Sequence, residues 1–568
     1  MKRSLSIVLA ILVFLAIGFL GFRHSLATQT SMSVGMPPAF VPNEVLVKFK
    51  VATPGDAIAT SINAVSGLVR THTGRIITGA EWAAIQSTAN NSFIGDPNLF
   101  RIIVPAGLGE AGAIAEMSAS PYVEYAERNA IYRVDVTPSD TRFAEQWALN
   151  NTGQTGGTAD ADIDAPEAWN IATGSEDVII AIIDTGISFG HSDLQNNIWK
   201  NAGEWGGGKE SDGIDNDGNG EIDDYRGWDY VNSDNNPSDD NPYYHGSHVA
   251  GIAGAEGDNN LGVTGVCWTV KLMALKGIAS DGSGNTADLI NAIDYARLNG
   301  ANIINASWGS YTYSASLCAA VERTMTAGIL FVAAAANDGY NTDVSGYQNY
   351  PSSYDSDNMI AVLSTDHNDA PSSFSNYGLY SVDLGAPGGT GDGSAKDILS
   401  TTSASNYGLL AGTSMAAPFV SGTAALLLGY RPSIDWWQNK TILLKSVDSL
   451  SALSQKCRTH GRLNAYNALI CTVPVLPDAP SDLEGTVTEN DGNYEITLTW
   501  TDNSSNETGF KIYLKSGNVF QLLDTVSANS TSYVMSDNVF PGYYYFYVRA
   551  YRADGESKKT AIAAVKVD

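Results

Sequence analysis

Runs of nearly unbroken apolar residues recur through the middle of the chain and restrict the folds open to it. VIIAIID (178–184), VKLMALK (270–276), ANIINAS (301–307) and GILFVAAAAN (328–337) are each about one strand long. A strand with one wet face alternates apolar and polar residues; these runs do not, so both of their faces are covered. Stretches of helical length and pattern lie between them, such as TADLINAIDYARLNG (286–300) and SASLCAAVERTMTAG (314–328). Apolar strands alternating with amphipathic helices predict an α/β fold, a parallel sheet covered on both sides. In such folds, reactive side chains gather at the carboxyl ends of the strands.

That pattern starts near residue 138 and closes at VPVLPDAPSD (473–482), where clustered prolines mark a linker. EITLTW, FKIYLK, FQLLDTV, YYYFYVRAY and AIAAVKV follow with no helical pattern between them, which predicts an all-β sandwich over 478–568. Upstream, PNEVLVKFK (42–50), LFRIIVPA (99–106) and EYAERNAIYRV (124–134) read as strands, with a helical AGAIAEMSA between them. They predict a small α+β unit over 38–135. At the start, Lys2 and Arg3 precede an apolar run from Leu5 to Phe22 and small residues at Ser25-Leu26-Ala27. This is the form of an export signal over 1–27, and it places the protein outside the cell. The run is also long enough for an uncleaved membrane anchor.

The formal charge of −29 removes nucleic acid from the expected partners, because no basic surplus exists to neutralise phosphates. It suits acidic loops that hold divalent cations. Four cysteines, Cys267, Cys318, Cys457 and Cys471, meet oxidising conditions if the chain is exported, and disulfides are expected. Three pairings are open, with Cys457–Cys471 the nearest in sequence.

NPYYHGSHVAG (241–251) carries His245 and His248, three positions apart. A zinc-protease helix needs histidines four apart with a glutamate after the first; here Gly246 stands in that place. A catalytic base needs instead a nucleophile and an orienting carboxylate. Asp184 ends the apolar strand IIDTG, and Ser414 opens the apolar helix of LLAGTSMAAPFVSGTAALLL. Singly, Asp184 is an ordinary strand–helix turn residue, Ser414 an ordinary helix cap and Asn337 a turn former. Together, in the order Asp184, His245, Ser414, they match a serine-protease triad. His248 is left as a packing residue.

DTGI with HSDL after it, HGSHVAG and GTSMAAPFVSG resemble the three catalytic blocks of the subtilisin-like serine proteases, the subtilases. The resemblance covers about 138–472. It implies a parallel-sheet subtilisin-like domain with Ser414 as nucleophile, His245 as general base and then acid, and Asp184 as its orienting partner. It implies Asn337 as a side-chain donor to the oxyanion. Members usually carry glycine before this asparagine; this chain has Ala336, which bears on specificity. NASWGS (305–310) and SDGSG (280–284) resemble the segments that bracket an extended peptide, giving Ser307, Trp308, Gly309, Gly282, Ser283, Gly284 and Ala335 as substrate-binding candidates.

SDGIDNDGNGEIDDYRGWD (211–229) crowds carboxylates into a loop. Asp215, Asp217 and Asn219 fall at positions 1, 3 and 5 of an EF-hand-like loop, with Gly220 at position 6. Position 12 is Arg226, so Glu221, Asp223 or Asp224 must complete a structural Ca²⁺ shell. A solvated acidic turn is the alternative. Asp193 with Asn259 of the GDNNLGV loop resembles a second family calcium site.

By the same resemblance the 38–135 unit is a propeptide that assists folding and acts as an intramolecular inhibitor, cut near 134–140. The C-terminal unit resembles a fibronectin type III domain, with Tyr543, Tyr545, Tyr547 and Tyr551 on one face. That stripe suits a protein or glycan ligand, or cross-strand pairing alone. The expectation is a secreted serine endopeptidase acting on proteins and peptides, made as a self-processing zymogen. The alternatives are a narrow processing protease and a non-catalytic binding protein on the same scaffold.

Overall fold

The computed structural model describes residues 40–50, 53, 68–70, 76–77, 98–104, 109–130 and 136–568 apart from 491. The export signal expected at 1–27 lies outside the described residues, as do much of 51–97 and residues 131–135 of the expected processing region. Among the described residues no helix is long and apolar enough to cross a membrane.

The apolar runs form the centre of a nine-stranded sheet. Its strands are β1 (Gly174–Asp184), β2 (Gly227–Asp229), β3 (Thr269–Lys276), β4 (Ile303–Ala306), β5 (Leu330–Ala334), β6 (Met359–Thr365), β7 (Leu384–Pro387), β8 (Asp448–Ser449) and β9 (Gly461–Arg462). They lie in the order β8-β9-β7-β6-β5-β4-β1-β3-β2. Every neighbouring pair is parallel except β8–β9 at one edge.

Successive residues of each central strand enter opposite cores. Ile180, Ile182, Leu272, Ala274, Leu330 and Val332 pack on one side. Ala181, Ile183, Met273, Leu275, Phe331 and Ala333 pack on the other. The strands are apolar throughout because both faces are dry. Helices α1 (His245–Gly254) and α4 (Thr413–Tyr430) cover the first face, and α2 (Thr286–Leu298) and α3 (Ala315–Thr326) the second. Helix α4 is apolar on nearly every side because it is enclosed: it packs on β1, β4, β5, β6, β7 and α1.

Upstream, Phe40–Phe49, Leu99–Ile103 and Val123–Ala130 join Leu68–Arg70 and Ile76–Ile77 in an antiparallel sheet. The helix Gly109–Ser118 lays Ala113 and Met117 on its core of Val45, Val47, Phe100 and Ile102. Downstream, a three-stranded and a five-stranded antiparallel sheet enclose Ile496, Leu498, Trp500, Phe510, Ile512, Phe546 and Val548.

Two expectations are corrected. None of the four cysteines is bridged. Cys267 lies in the first core and Cys457 in a separate cluster with Leu363, Val382 and Leu453, while Cys318 and Cys471 pack at the margins of the two main cores. Burial pushes the Cys267 thiol up to about 12, so it is held as an apolar thiol. The tyrosine stripe is also broken. Tyr543 and Tyr545 are exposed, but Tyr547 is 3% exposed, stacked on Tyr513 with ring centroids 4.7 Å apart. The inner half of its strand faces the α/β unit rather than water, with Arg549 reaching Asp357.

Candidate active site

Asp184 is the last residue of β1, at its carboxyl end, and its side chain is buried. His245 opens α1, after Tyr244 turns the chain in a left-handed conformation with φ of 53°. The two elements meet at Gly246, where a Cβ would stand 2.2 Å from the Gly186 carbonyl oxygen; only glycine permits that approach. The approach brings His245 Nδ1 to 2.7 Å from Asp184 Oδ1. Burial alone disfavours the imidazolium, but the Asp184 charge and hydrogen bond outweigh it and raise the His245 pKa above the ordinary histidine value.

Ser414 stands in the first turn of α4, where backbone N–H groups have no intrahelical acceptor. Its Oγ donates to the Ser307 carbonyl at 3.0 Å, which turns it toward the cleft wall. Ser307 Oγ donates in return to the Ser414 carbonyl at 2.8 Å. Asn337 follows β5. Its Oδ1 accepts from Thr413 N at 2.8 Å and from Thr413 Oγ1 at 3.0 Å. That fixes the amide with its NH₂ group beside Gly412 and the Ser414 backbone N. Ala336 carries a φ of +82°, a region that favours glycine. It is held there by Thr413 Oγ1, which accepts from its N, and by Asn376 N, which donates to its O.

A cleft of about 730 Å³ runs past Asp184 and His245 and along Ser307, which bonds Ser414. Asp184, His245, Ser307, Trp308, Gly309, Gly282 and Gly284 line it. Ala335 does not join them: its side chain is fully buried against Leu363 and Val382. Ile278, Leu289, Leu317 and Tyr350 complete an apolar section of the wall. Leu289 and Leu317 belong to stretches that the sequence marks only as helical, with no local signal for a place in the cleft. His248 is clear of the cleft. Its Nε2 lies 3.0 Å from the Ile398 carbonyl, and burial lowers its pKa to about 3, so it is a neutral packing residue.

The model of the subtilase family matches residues 175–467. The thermophilic serine proteinase of Bacillus sp. (strain AK1) is 32% identical over 433 residues, 76% of this chain and 88% of that protein.

The chain belongs to the subtilase family.

It is therefore a serine protease. Thermitase of Thermoactinomyces vulgaris is similar as well, 36% identical over 307 residues, which are 54% of this subtilase and 93% of thermitase. A solved structure titled as proteases from Pseudoalteromonas arctica PAMC 21717 is 29% identical, covering 59% of this subtilase and 99% of that chain, with a TM-score of 0.47.

Subtilases commonly bind structural calcium, and this one gathers Glu204, Asp217 and Asp224, with carboxylate oxygens within 4.8 Å of one another. Glu204 Oε2 is buried with no hydrogen-bond partner, and burial raises the Asp224 pKa. An orphaned carboxylate oxygen beside two further carboxylates is the donor set of a hard dication. Of the six loop residues expected to bind calcium, Asp217 and Asp224 bring carboxylates to this point, and the Asn219 side-chain amide lies against both. Asp215 accepts the backbone N–H of Gly218 at 2.7 Å and of Gly220 at 2.9 Å, and Asp223 accepts that of Gly213 at 3.0 Å. Those carboxylates hold the turn itself. Asn219 donates from Nδ2 to Asp217 and Asp224, and Glu221 bonds Tyr230. Glu204 lies ahead of the acidic run, where nothing local marks it.

A second group forms around Asp193. Asn259 Nδ2 donates to it at 3.2 Å and Val263 N at 3.0 Å. Asp140, unmarked in the sequence, has a buried Oδ1 without a partner. Burial, with the nearby Asp193 charge, raises its pKa to about 6.

Proposed function

We propose that the chain is an exported endopeptidase that cleaves proteins and peptides through an acyl-enzyme on Ser414. The 2.7 Å contact between His245 Nδ1 and Asp184 Oδ1, in a cleft that is also lined by Ser307, the partner of Ser414 Oγ, carries this reading. Asp184 holds the proton on Nδ1, which leaves Nε2 free to accept. As the Ser414 Oγ–C bond forms at the scissile carbonyl, the hydroxyl proton passes to His245 Nε2. The carbonyl oxygen becomes an oxyanion and takes hydrogen bonds from Asn337 Nδ2 and Ser414 N. When the C–N bond breaks, His245 returns the proton to the leaving amine. Water, deprotonated by the same imidazole, then hydrolyses the acyl ester.

Calcium at Glu204, Asp217 and Asp224, and again at Asp140, Asp193 and Asn259, neutralises carboxylates that would otherwise repel one another in folded loops. The 38–135 unit is proposed as the inhibitory propeptide, and the C-terminal sandwich as a fibronectin type III domain. The test is expression of the precursor beside Ser414→Ala. The parent is expected to shorten near residue 137 and to digest casein, while the variant stays full length and inactive. Equal maturation of both would remove Ser414 as nucleophile.

A further inference from the structure

Residues 341–358 run without helix or strand between β5 and β6, and Tyr350 of this segment lines the cleft. On the cleft side they are zipped to the segment after Gly309. Ser310 N donates to the Tyr350 carbonyl at 2.8 Å, and Tyr350 N to the Ser310 carbonyl at 2.7 Å. Tyr354 Oη donates to the Ser314 carbonyl at 2.8 Å. Tyr350 lines the cleft between these anchors.

The opposite side of the same segment is held by the C-terminal sandwich, and on both flanks of Tyr350. Ahead of it, Asn518 Nδ2 donates to Ser345 Oγ and to Gln348 Oε1, each at 3.1 Å. Gln348 passes the restraint on, donating from Nε2 to the carbonyls of Thr342 at 3.0 Å and Val344 at 2.6 Å. Beyond Tyr350, Asp357 accepts from Arg549 Nη2 at 2.5 Å and from Lys559 N at 2.9 Å. Both members of the Arg549–Asp357 pair are about 95% buried, so this is an internal contact and not a rim ion pair. The sandwich is fixed independently of the segment, because Trp437 Nε1 donates to the Glu556 carbonyl at 3.0 Å.

We propose that the C-terminal sandwich is a clamp on residues 345–357 that sets the position of the Tyr350 wall for extended peptide substrates. Asn518 and Arg549 are its positioning residues. The proposal rests on the protease reading of the cleft. A loop tied to its neighbours by isolated bridges rather than a continuous ladder keeps conformational freedom, and a partner gripping both flanks reduces it before substrate arrives. A peptide laid along the wall gains from the pre-set geometry. A substrate that reaches only Ser414 and His245 does not sense it.

The test compares a one-residue ester with a hexapeptide amide of apolar residues, on the full chain and on Asn518→Ala, Arg549→Lys and Arg549→Met. In Asn518→Ala and Arg549→Met, KM for the hexapeptide is expected to rise about fivefold at unchanged kcat, the low end of coupling between distant sites. The ester is expected to keep its kcat/KM, and Arg549→Lys to recover part of the loss. Amide hydrogen exchange at Ser310 and Tyr350 is expected to quicken in the same variants. Equal losses on both substrates, or no change in KM and in exchange, overturn the clamp. Asn518→Ala leaves the buried ion pair intact and decides the matter if Arg549→Met does not fold. If the parent cleaves neither substrate, the protease reading falls, and the exchange measurement still decides the clamp.

Discussion

Gly309→Ala tests the cleft wall at its tightest point. A Cβ on Gly309 would stand 2.0 Å from Asn349 Oδ1, 3.0 Å from its Cγ and 3.2 Å from its Nδ2. The side chain has little room to retreat: Asn349 is 2% exposed, and its backbone is held by the main-chain carbonyl, which accepts from Ser353 N at 2.7 Å and Ser352 Oγ at 3.0 Å. Reaching ordinary contact needs a shift of about 1.4 Å, overpacking of a size that costs about 1–3 kcal/mol in a packed site. For a unit this large that corresponds to a fall in Tm of about 2–6 °C. Asn349→Ala removes the obstacle, and its Oδ1 has no partner to lose. The double variant is therefore expected to recover about 1–2 kcal/mol relative to the sum of the single changes. Thermal unfolding in a Ser414→Ala background, where self-digestion is absent, supplies the four corners of the cycle. If Gly309→Ala costs the same with and without the Asn349 amide, the reasoning fails.

Further outcomes are expected at His245 and at the Glu204 cluster. The reaction needs neutral His245, whose pKa Asp184 raises, so kcat/KM should fall as pH drops through a value above that of a free histidine. In Asp184→Asn the main opposition to burial is lost and only the Asp239 charge still favours the imidazolium: the acid limb should move to lower pH and the rate should drop about 10⁴-fold, measured as a pH–rate profile. An unmoved limb would detach His245 from Asp184. Chelation should lower Tm, since calcium at about 100 times its Kd adds about 2.7 kcal/mol. Glu204→Gln should lose a large share of that chelator-dependent shift; an unchanged shift would place the cation elsewhere.

Strand runs and the three motif blocks were legible because each is a local signal: a period, a turn, a short stretch of required residues. The sites that were not legible depend on chain returning from far away. Glu204 and Asp140 each sit outside the segment that draws the eye, and only the fold brings them to Asp224 and Asp193. Counting EF-hand positions did not show that Asp215 and Asp223 accept backbone N–H groups of their own turn, because a carboxylate in a glycine-rich turn can satisfy its own backbone. Tyr547 looked like part of a surface stripe because strand period separates two faces but does not say which is wet. Cysteine counting predicted bridges where packing keeps the thiols in separate places.

Helix α4 has a consequence for when activity can exist at all. The helix that begins with the proposed nucleophile is also the one that closes the sheet's first core, resting on β1, β4, β5, β6 and β7. Its start cannot be in register with Asp184 and His245 until those strands have assembled beneath it. A partly folded molecule is thus unarmed, and a molecule that begins to unfold is disarmed at the moment it becomes digestible.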